Sequence, residues 1–263
     1  MPKISVVTVN YNNAEGLRQT IQSVIEQEQD EVEYIVIDGN SGDGSAAVIR
    51  EFESNVDHWI SERDKGVYEA MNKGIDMATG DYVLFLNSGD IFYNDNVLNE
   101  VAPILSGDLD IYYGNLVFSH SGKDMIREYP KSFDFGYFLE RSLPHPGSFI
   151  KRSLFDRIFK YSENYRIVSD WEFFICAILK EKVTHRHLDK VISTFELDGM
   201  SNDPKNKAFI EEEREQVIRK HFPERYSEYK KWRLEKSKED SSVGKNSDYT
   251  FTKKIKRWLK RFK

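Results

Sequence analysis

The sequence predicts an α/β fold, with helices covering a mostly parallel sheet, and this prediction depends on how the apolar residues are distributed. Three short runs, residues 4–9, 34–37 and 82–86, are rich in β-branched and aromatic residues and have the length of strands buried on both faces. The segments between them place apolar residues at helical spacing, as in Leu17 and Ile21. This alternation is typical of parallel sheets whose faces are covered by helices.

The elements of the first half, residues 1–110, follow one another in a regular order. Residues 10–13 (NYNN) lead from the first strand into a helix, and residues 38–44 (DGNSGDG) lead from the second strand into another. A third helix over residues 67–78 ends near Gly80, which precedes the third strand. Ligands of open parallel sheets bind beyond the carboxyl ends of the strands, so we expect these polar strand exits to line one rim.

The second half, residues 111–225, is less regular. Further strands and helices are expected over residues 111–118, 148–150, 171–179, 183–195 and 206–221. Residues 226–248 are polar and low in apolar side chains, which is typical of a linker.

Residues 249–263 form a basic amphipathic tail. They carry seven Lys and Arg and no acid, whereas the whole chain has a net charge of −6. Apolar side chains recur there at helical spacing, at Phe251, Ile255, Trp258, Leu259 and Phe262. Such a helix favours an anionic membrane surface, although docking on the acidic body of the same or a neighbouring subunit would also bury its apolar face.

Composition argues against several classes of protein. The acidic balance outside the tail disfavours a nucleic-acid binder, and no apolar run has the length of a membrane span. Cys176 is the only cysteine, so no intrachain disulfide can form, which suits a reducing cytoplasm. The first residues lack the pattern of a signal peptide, and we expect a cytoplasmic protein.

Acidic residues dominate the expected rim, at Asp38, Asp43, Asp64 and Asp90. Carboxylates would repel a bare phosphate, so a phosphorylated ligand would need a cation between it and the protein. Oxygen ligands suit Mg²⁺ or Mn²⁺. Neither a glycine-rich dinucleotide motif nor a P-loop is present. Each acid also has a purely structural explanation, since Asp-Gly pairs form turns and a single Asp often caps a helix.

Several motifs, taken in order, resemble those of one known family. They are ISVVTVNYNN, EYIVIDGNSGDGS, SERDKGVYEAMNKGIDMATGDYVLFLNSGD, HPGSFIKRSLFD and VSDWEFF. Over residues 3–201 the sequence closely resembles the family 2 glycosyltransferases of the GT-A fold, of the bacterial polysaccharide and glycolipid type. The resemblance implies a Rossmann-like sheet flanked by helices, with residues 1–110 as the nucleotide-sugar-binding half and residues 111–225 as an irregular acceptor-binding half that holds the catalytic base.

The resemblance also implies which residues bind the donor and the metal. The nucleotide and sugar would be held by Thr8, Asn10, Tyr11, Asp38, Asp64, Lys65, Gly66 and Asn72. A divalent metal, Mn²⁺ or Mg²⁺, would be bound at the motif that ends in Asp90. Ser88 replaces the family's usual first carboxylate, so Asp90 would be the only protein carboxylate on the metal.

The resemblance further implies an acceptor side. The catalytic base would be Asp170. Because Ser169 stands before it where the family more commonly has an acid, Glu172 is a rival for this role. His145, between two prolines, would line the acceptor pocket or belong to a rigid turn. His185 and His187 could approach the metal, although two exposed strand histidines are the simpler interpretation.

The implied reaction is inverting, metal-dependent transfer of a sugar from a nucleotide-diphosphate sugar, with UDP favoured, to a glycan or lipid-linked saccharide in cell-surface polysaccharide synthesis. We expect it at the inner face of the cell membrane, with residues 251–263 on the anionic surface. Two alternatives stay open. Ser88 favours a catalytically silent, membrane-associated protein that binds sugar nucleotides or glycans. A sugar nucleotidyltransferase shares the α/β plan, but normally has a glycine-rich loop where this chain has residues 10–13.

Overall fold

The structure is a computed structural model that describes residues 4–27, 31–120, 123–196 and 203–243. The chain divides into two compact units, Met1–Arg214 and Glu215–Lys263. The first unit therefore contains nearly all of both predicted halves, and the two halves share one sheet.

Strands and helices alternate regularly only in the first part of the chain. The strands are β1 (Ile4–Asn10), β2 (Val32–Asp38), β3 (His58–Ser61), β4 (Tyr82–Phe85), β5 (Ile91–Phe92), β6 (Ile111–His120), β7 (Lys123–Arg127), β8 (Ser148–Lys151) and β9 (His185–Glu196). The helices are α1 (Ala14–Ile25), α2 (Ser45–Glu51), α3 (Val67–Met77), α4 (Val97–Val101), α5 (Phe135–Glu140), α6 (Ser153–Arg157), α7 (Ser169–Ile175), α8 (Lys207–His221) and α9 (Tyr226–Val243).

The strands of the described residues form one sheet in the order β3-β2-β1-β4-β8-β6-β9-β5, with β7 paired to β6. The strands β3, β2, β1 and β4 pair in parallel, as do β6 and β9, whereas β8 lies antiparallel to both β4 and β6. The α/β prediction, with a mostly parallel sheet in the first half, is confirmed.

The register of the parallel strands brings their polar ends together. Asn10 at the end of β1 pairs with Asp38 at the end of β2, which in turn pairs with Ser61 at the end of β3. Beyond the end of β4, the N–H of Ser88 still donates to the carbonyl of Val9 at 3.1 Å. The four strand exits therefore lie at one edge of the sheet, as the sequence predicts.

Close packing holds α3 against this sheet. A Cβ atom at Gly74 of α3 would lie 2.4 Å from Cγ1 of Val7 in β1, so the helix approaches the strand as only a glycine permits. On the opposite face, Leu17 and Ile21 of α1 are fully buried in the same core as Val6. Burial of each such side chain contributes about 1.5–3 kcal/mol. The beginning of α3 is thereby held at the rim.

Two boundaries differ from the sequence prediction. The strand β3 is missed because its four residues, HWIS, are only partly buried or exposed and form no apolar run. The linker expected over residues 226–248 is wrong for Tyr226–Val243, which forms α9. Arginine, lysine, glutamate and leucine are strong helix formers even where the apolar stripe is weak.

The second unit is described from Glu215 to residue 243. The carboxylate of Glu215 accepts hydrogen bonds from Arg219 at 2.9 Å, from Arg233 at 2.5 Å and from the hydroxyl of Tyr226 at 2.6 Å, and it thereby connects α8 to α9. The predicted amphipathic tail, residues 249–263, lies outside the described residues. Within the described residues, no helix combines the length and apolar character needed to cross a bilayer.

Candidate active site

Asp38 is the structural centre of the rim. Its Oδ1 accepts hydrogen bonds from Asn10 Nδ2 at 2.7 Å and Ser41 Oγ at 2.6 Å, and its Oδ2 accepts from the Ser41 N–H at 3.0 Å and Ser61 Oγ at 2.6 Å. Although burial opposes ionisation, these donors hold the pKa of Asp38 below its ordinary value. The carboxylate is fully buried, so it ties three strand exits together. A direct contact between Asp38 and a substrate stays a prediction.

Tyr11, Gly39 and Asp64 form the solvent side of the same rim. The side chain of Tyr11 is 68% exposed. A Cβ atom at Gly39 would lie 2.7 Å from Asp64 Oδ2 and 3.1 Å from Cδ2 of Tyr11, so the three loops meet too closely for any other residue. Burial raises the pKa of Asp64, although the N–H of Gly66 donates to its Oδ1 at 3.1 Å. An exposed aromatic ring thus stands beside a partly buried acceptor.

The segment after Asp64 leads directly into α3. Gly66 has a φ of +153°, which favours glycine, and α3 begins at the next residue. The side chain of Lys65 is 81% exposed, and its backbone N–H donates to Glu69 Oε2 at 2.8 Å. The ammonium group of Lys65 lies 4.0 Å from the same Glu69 Oε2 and is otherwise exposed at the rim.

Asp90, the predicted metal ligand, is a buried carboxylate. Its residue is 5% exposed, and burial raises its pKa to about 8. Backbone N–H groups of Glu196 and Asn87 oppose this rise, whereas the negative charge of Glu196 adds to it. A carboxylate in such a place binds either a proton or a cation at neutral pH.

Asn87 was missed by the sequence analysis as an individual site residue. Its Oδ1 is buried and has no hydrogen-bond partner in the described part of the chain. The only signal was its position, directly after the strand-like run and three residues before Asp90. An unsatisfied buried oxygen is costly, so Asn87 Oδ1 is available to accept a hydrogen bond from water or to contact a ligand atom.

A divalent metal at the rim stays a prediction, and the oxygen atoms near Asp90 decide whether the residues would fit one. No group of three or more His, Cys, Asp or Glu that could hold a metal exists in the residues that the structure describes. Besides those of Asp90, these oxygen atoms include Asn87 Oδ1, which has no partner among the described residues, and the carboxylate of Glu196, whose charge acts on Asp90. Mg²⁺ is commonly held by one or two carboxylates, with substrate phosphates and water in its other positions, so this set fits.

His185 and His187 lie at the far end of β9 from this set. They pair in register with Ile111 and Tyr113 at the beginning of β6. The ring of His187 is hydrogen-bonded to Asn115 Oδ1 at 2.9 Å. Nine residues of strand separate His187 from Glu196, about 30 Å. This separation favours the simpler interpretation of the two residues as strand histidines, and a contact of either with a metal stays untested.

Asp170 lies in the first turn of α7, facing α3. Its Oδ1 accepts a hydrogen bond from the hydroxyl of Tyr68 at 2.8 Å. His145 and Tyr161 stand nearby, joined by a hydrogen bond of 2.8 Å between Nε2 and the Tyr161 hydroxyl. Burial lowers the pKa of His145, and the negative charge of Asp170 opposes this effect. The rival base Glu172 is only 1% exposed, which disfavours it as a group that meets an acceptor.

His145 belongs both to a turn and to this cluster. It begins the short 3₁₀ turn His145–Gly147, and its ring stacks on Phe85 at the end of β4, with centroids 4.9 Å apart and planes inclined by 13°. The turn is therefore present, whereas the place of His145 in an acceptor pocket stays a prediction.

Two residues predicted to contact the substrate, Thr8 and Asn72, form hydrogen bonds within the protein. Thr8 is fully buried, and its hydroxyl donates to the carbonyl of Leu86 at 2.8 Å. The amide of Asn72 bonds both backbone groups of Tyr161, donating to the carbonyl at 2.8 Å and accepting from the N–H at 3.0 Å. Direct substrate contacts by these two residues stay predictions that the geometry does not support. The sequence could not reveal these partners, because Tyr161 follows Asn72 by 89 positions.

Comparison with known proteins gives one consistent family. A family model described as "Glycosyl transferase family 2" matches residues 5–166. An uncharacterized glycosyltransferase of Mycobacterium tuberculosis is 35% identical over 207 residues, which cover 76% of this chain and 78% of the relative. A PGL/p-HBAD biosynthesis glycosyltransferase of Mycobacterium bovis is 29% identical over 216 residues, which cover 80% of this chain and 83% of the relative.

Solved structures share the fold. The crystal structure of S. aureus TarS 1-349 matches with a TM-score of 0.65 and 18% identity, over 82% of this chain and 64% of that chain. The mannosyltransferase PcManGT of Pyrobaculum calidifontis matches with a TM-score of 0.63 and 16% identity, over 83% of this chain and 64% of that chain. The chain thus spans just under two thirds of these solved chains, and the likeness supports the GT-A fold. On the family match and the sequence relatives, this chain belongs to glycosyl transferase family 2 and is a glycosyltransferase.

Proposed function

We propose that this glycosyltransferase moves a sugar, with inversion, from a nucleoside-diphosphate sugar to a hydroxyl group of a saccharide or lipid-linked acceptor. One observation carries the proposal: two carboxylates of the same unit lie in opposite environments. Asp90 is buried, and this burial raises its pKa to about 8. Asp170 is half-buried, with one oxygen held by Tyr68. The first suits a cation and the second suits a proton acceptor.

The ligands bound in structures of similar proteins support a nucleotide-sugar donor. One TarS structure is a complex with UDP-GlcNAc, and the PcManGT structure contains GDP-Man and Mn²⁺. The relatives named for PGL/p-HBAD biosynthesis support a role in glycolipid or polysaccharide synthesis. We propose UDP as the nucleotide of this chain, because the strand-exit motifs resemble uridine-binding members of the family.

The exposed ring of Tyr11 gives the nucleotide base a surface on which to stack. Asn10 Oδ1 is buried and has no partner within the described residues, so it is available to accept a hydrogen bond from the base or ribose. Asp64 stands beside Tyr11 as a second acceptor. Lys65, with its exposed ammonium group, is placed to approach the diphosphate.

The residues that would hold a divalent cation, Mn²⁺ or Mg²⁺, are Asp90 and Asn87, with water and diphosphate oxygens as the other ligands. A cation bound there supplies neutralisation of the charge that develops on the departing nucleoside diphosphate. Asp90 would lose its proton when the cation binds, because the same buried carboxylate cannot hold both.

Asp170 would act as the general base. As the acceptor oxygen forms its bond to the anomeric carbon, the bond from that carbon to the diphosphate breaks, and the hydroxyl proton passes to Asp170. Attack from the face opposite the leaving group inverts the anomeric centre, and one base without a nucleophilic partner is sufficient. The burial of Glu172 favours Asp170 for this role.

We further propose that the chain works at the inner face of a membrane. The support comes from the sequence of residues 249–263 alone, whose basic and apolar residues suit an anionic surface. Binding of the full chain to vesicles that contain anionic lipid, compared with a chain ending at residue 248, tests this point. Equal binding of both chains would contradict it.

The experiment that tests the function is donor turnover by the purified chain against a panel of nucleotide sugars, with Mn²⁺, Mg²⁺ or EDTA. We expect one donor to be hydrolysed slowly, in a metal-dependent manner, and transferred faster to a suitable acceptor. A donor that binds without turnover would favour the silent binding protein. Absence of binding by every donor, with either metal, would contradict the proposal.

A further inference from the structure

We propose that Tyr68 is a positioning residue for the general base. Its hydroxyl holds Oδ1 of Asp170, so that Oδ2 faces the acceptor hydroxyl. The inference rests on the proposed function, because it takes Asp170 as the base. Tyr68 lies within the quoted motif SERDKGVYEAMNKG, but nothing in the sequence connects it to Asp170, which follows 102 positions later.

The hydroxyl of Tyr68 has little freedom to move. The residue is 5% exposed and lies in the first turn of α3, the helix that Gly74 holds against Val7. Its ring packs on that of Tyr161, with centroids 5.7 Å apart. A hydrogen-bond donor on a packed helix restricts the orientation of the group that accepts its bond more than a donor on a loop does, because its own rotamer is locked.

The hydrogen bond also has a defined direction. The hydroxyl of Tyr68 donates and Oδ1 of Asp170 accepts, because an ionised carboxylate has no proton to donate. Burial, and then the charge of Asp170, raise the pKa of Tyr68 well above its ordinary value, so the hydroxyl keeps its proton. A hydrogen bond to a charged acceptor is among the stronger kinds.

The other polar groups near Asp170 do not replace this contact. Tyr161 also feels the charge of Asp170, but its hydroxyl is hydrogen-bonded to His145. Burial lowers the pKa of His145, so the ring stays neutral and adds no cation beside the base. Tyr68 is thus the hydroxyl directed at Asp170 among the described residues that surround it.

The placement of Tyr68 connects the base to the donor. Lys65 and Gly66, which we assign to the donor, immediately precede α3, and Tyr68 is its second residue. Loss of the hydroxyl should leave this segment unchanged, because its contacts are made by backbone groups and by Asp64 and Glu69. The inference therefore predicts an effect on kcat and none on donor affinity.

The test compares four forms of the full chain: wild type, Tyr68→Phe, Asp170→Asn and the double variant. We expect Tyr68→Phe to lower kcat about 10- to 100-fold and to leave donor affinity within about twofold. In the Asp170→Asn background the same change should cost less than about threefold, since no base is left for Tyr68 to position.

Tyr82→Phe is the matched control. Tyr82 is also a buried tyrosine, and its hydroxyl donates to the carbonyl of Leu109 at 2.7 Å, at the end of β4 away from the rim. This control should lose comparable stability and keep its kcat. If Tyr68→Phe and Tyr82→Phe have equal kcat, or if Tyr68→Phe costs as much in the Asp170→Asn background as alone, the inference is wrong. A wild type that turns over no donor would overturn the proposed function, and this inference with it.

Discussion

The two acidic centres of the site are built in different ways. Asp90 follows a strand of the parallel sheet, is buried, and has its pKa raised to about 8. Asp170 comes from a helix of the irregular half, stays half-buried, and receives a hydrogen bond from Tyr68. The difference teaches that environment decides what a carboxylate does: burial without a countercharge prepares Asp90 for a cation, and one occupied oxygen leaves Asp170 ready for a proton.

The largest effect should come from removing the base. Asp170→Asn keeps the shape of the side chain and the contact with Tyr68, but removes the proton acceptor. We expect kcat to fall by about 10²–10⁴ while donor affinity stays within about twofold. Steady-state kinetics, together with calorimetric donor binding, measures both. A comparable loss in donor affinity would break the comparison, since Asp170 would then belong to donor binding as well.

The next largest effect should be that of pH on the free energy of unfolding of the metal-free chain, through the titration of Asp90. Its pKa is about 8 in the folded protein and 3.8 ordinarily, so between these values the folded state holds a proton that the unfolded state has lost. This contribution to the free energy of unfolding is therefore present below pH 4 and disappears as pH rises to 8. Asparagine does not titrate, so the free energy of unfolding of Asp90→Asn minus that of wild type should rise by on the order of 3 kcal/mol from pH 5 to pH 8.

Urea denaturation in EDTA at these two pH values measures this difference. With Mn²⁺ and nucleotide added at pH 8, the wild type should gain stability and Asp90→Asn should not. A difference between the two proteins that does not change with pH would contradict the raised pKa.

Gly39→Ala tests whether the rim around Tyr11 and Asp64 binds the sugar donor. The added Cβ would lie 2.7 Å from Asp64 Oδ2, so the carboxylate and the Tyr11 ring must shift. We expect about tenfold weaker donor binding, because geometry at the rim is lost. Gly42→Ala is the control, since nothing lies within 4 Å of its Cβ position. Equal donor binding by the two variants would mean that no ligand touches this corner.

The smallest effect should be that of His187→Ala. The ring is hydrogen-bonded to Asn115 at the opposite end of β9 from Glu196. We expect the Mn²⁺ concentration that gives half-maximal activity to stay within about twofold. A large rise in that concentration would show that β9 does not hold His187 away from the metal.

The sequence is sufficient to predict the parallel half of the site. Apolar runs define the strands, and strands that run parallel must end at one edge, so Asn10, Asp38 and Asp90 are expected there. It does not reveal the direction of each side chain. Because both faces of these strands are buried, alternation carries no signal that would show Thr8 bonded to Leu86 O.

The irregular half is less predictable for a different physical reason. Its contacts join residues far apart in the chain, such as Tyr68 with Asp170 and Asn72 with Tyr161. No local period or turn signal encodes such pairs. Only the resemblance to a known family indicated Asp170, and it said nothing of the hydroxyl that holds it. The helix α9 was missed because a polar segment with strong helix formers resembles a linker in composition.

The central claim is that Asp90 holds the cation for donor binding, whereas Asp170 accepts the proton. Nucleotide binding tests this claim most directly. Calorimetry of wild type, Asp90→Asn and Asp170→Asn with UDP, GDP and dTDP, in Mn²⁺ or EDTA, is the measurement. The account predicts that one nucleotide binds wild type and Asp170→Asn equally in Mn²⁺, and that EDTA or Asp90→Asn abolishes this binding. Binding that survives in Asp90→Asn, or that is lost in Asp170→Asn, would contradict it.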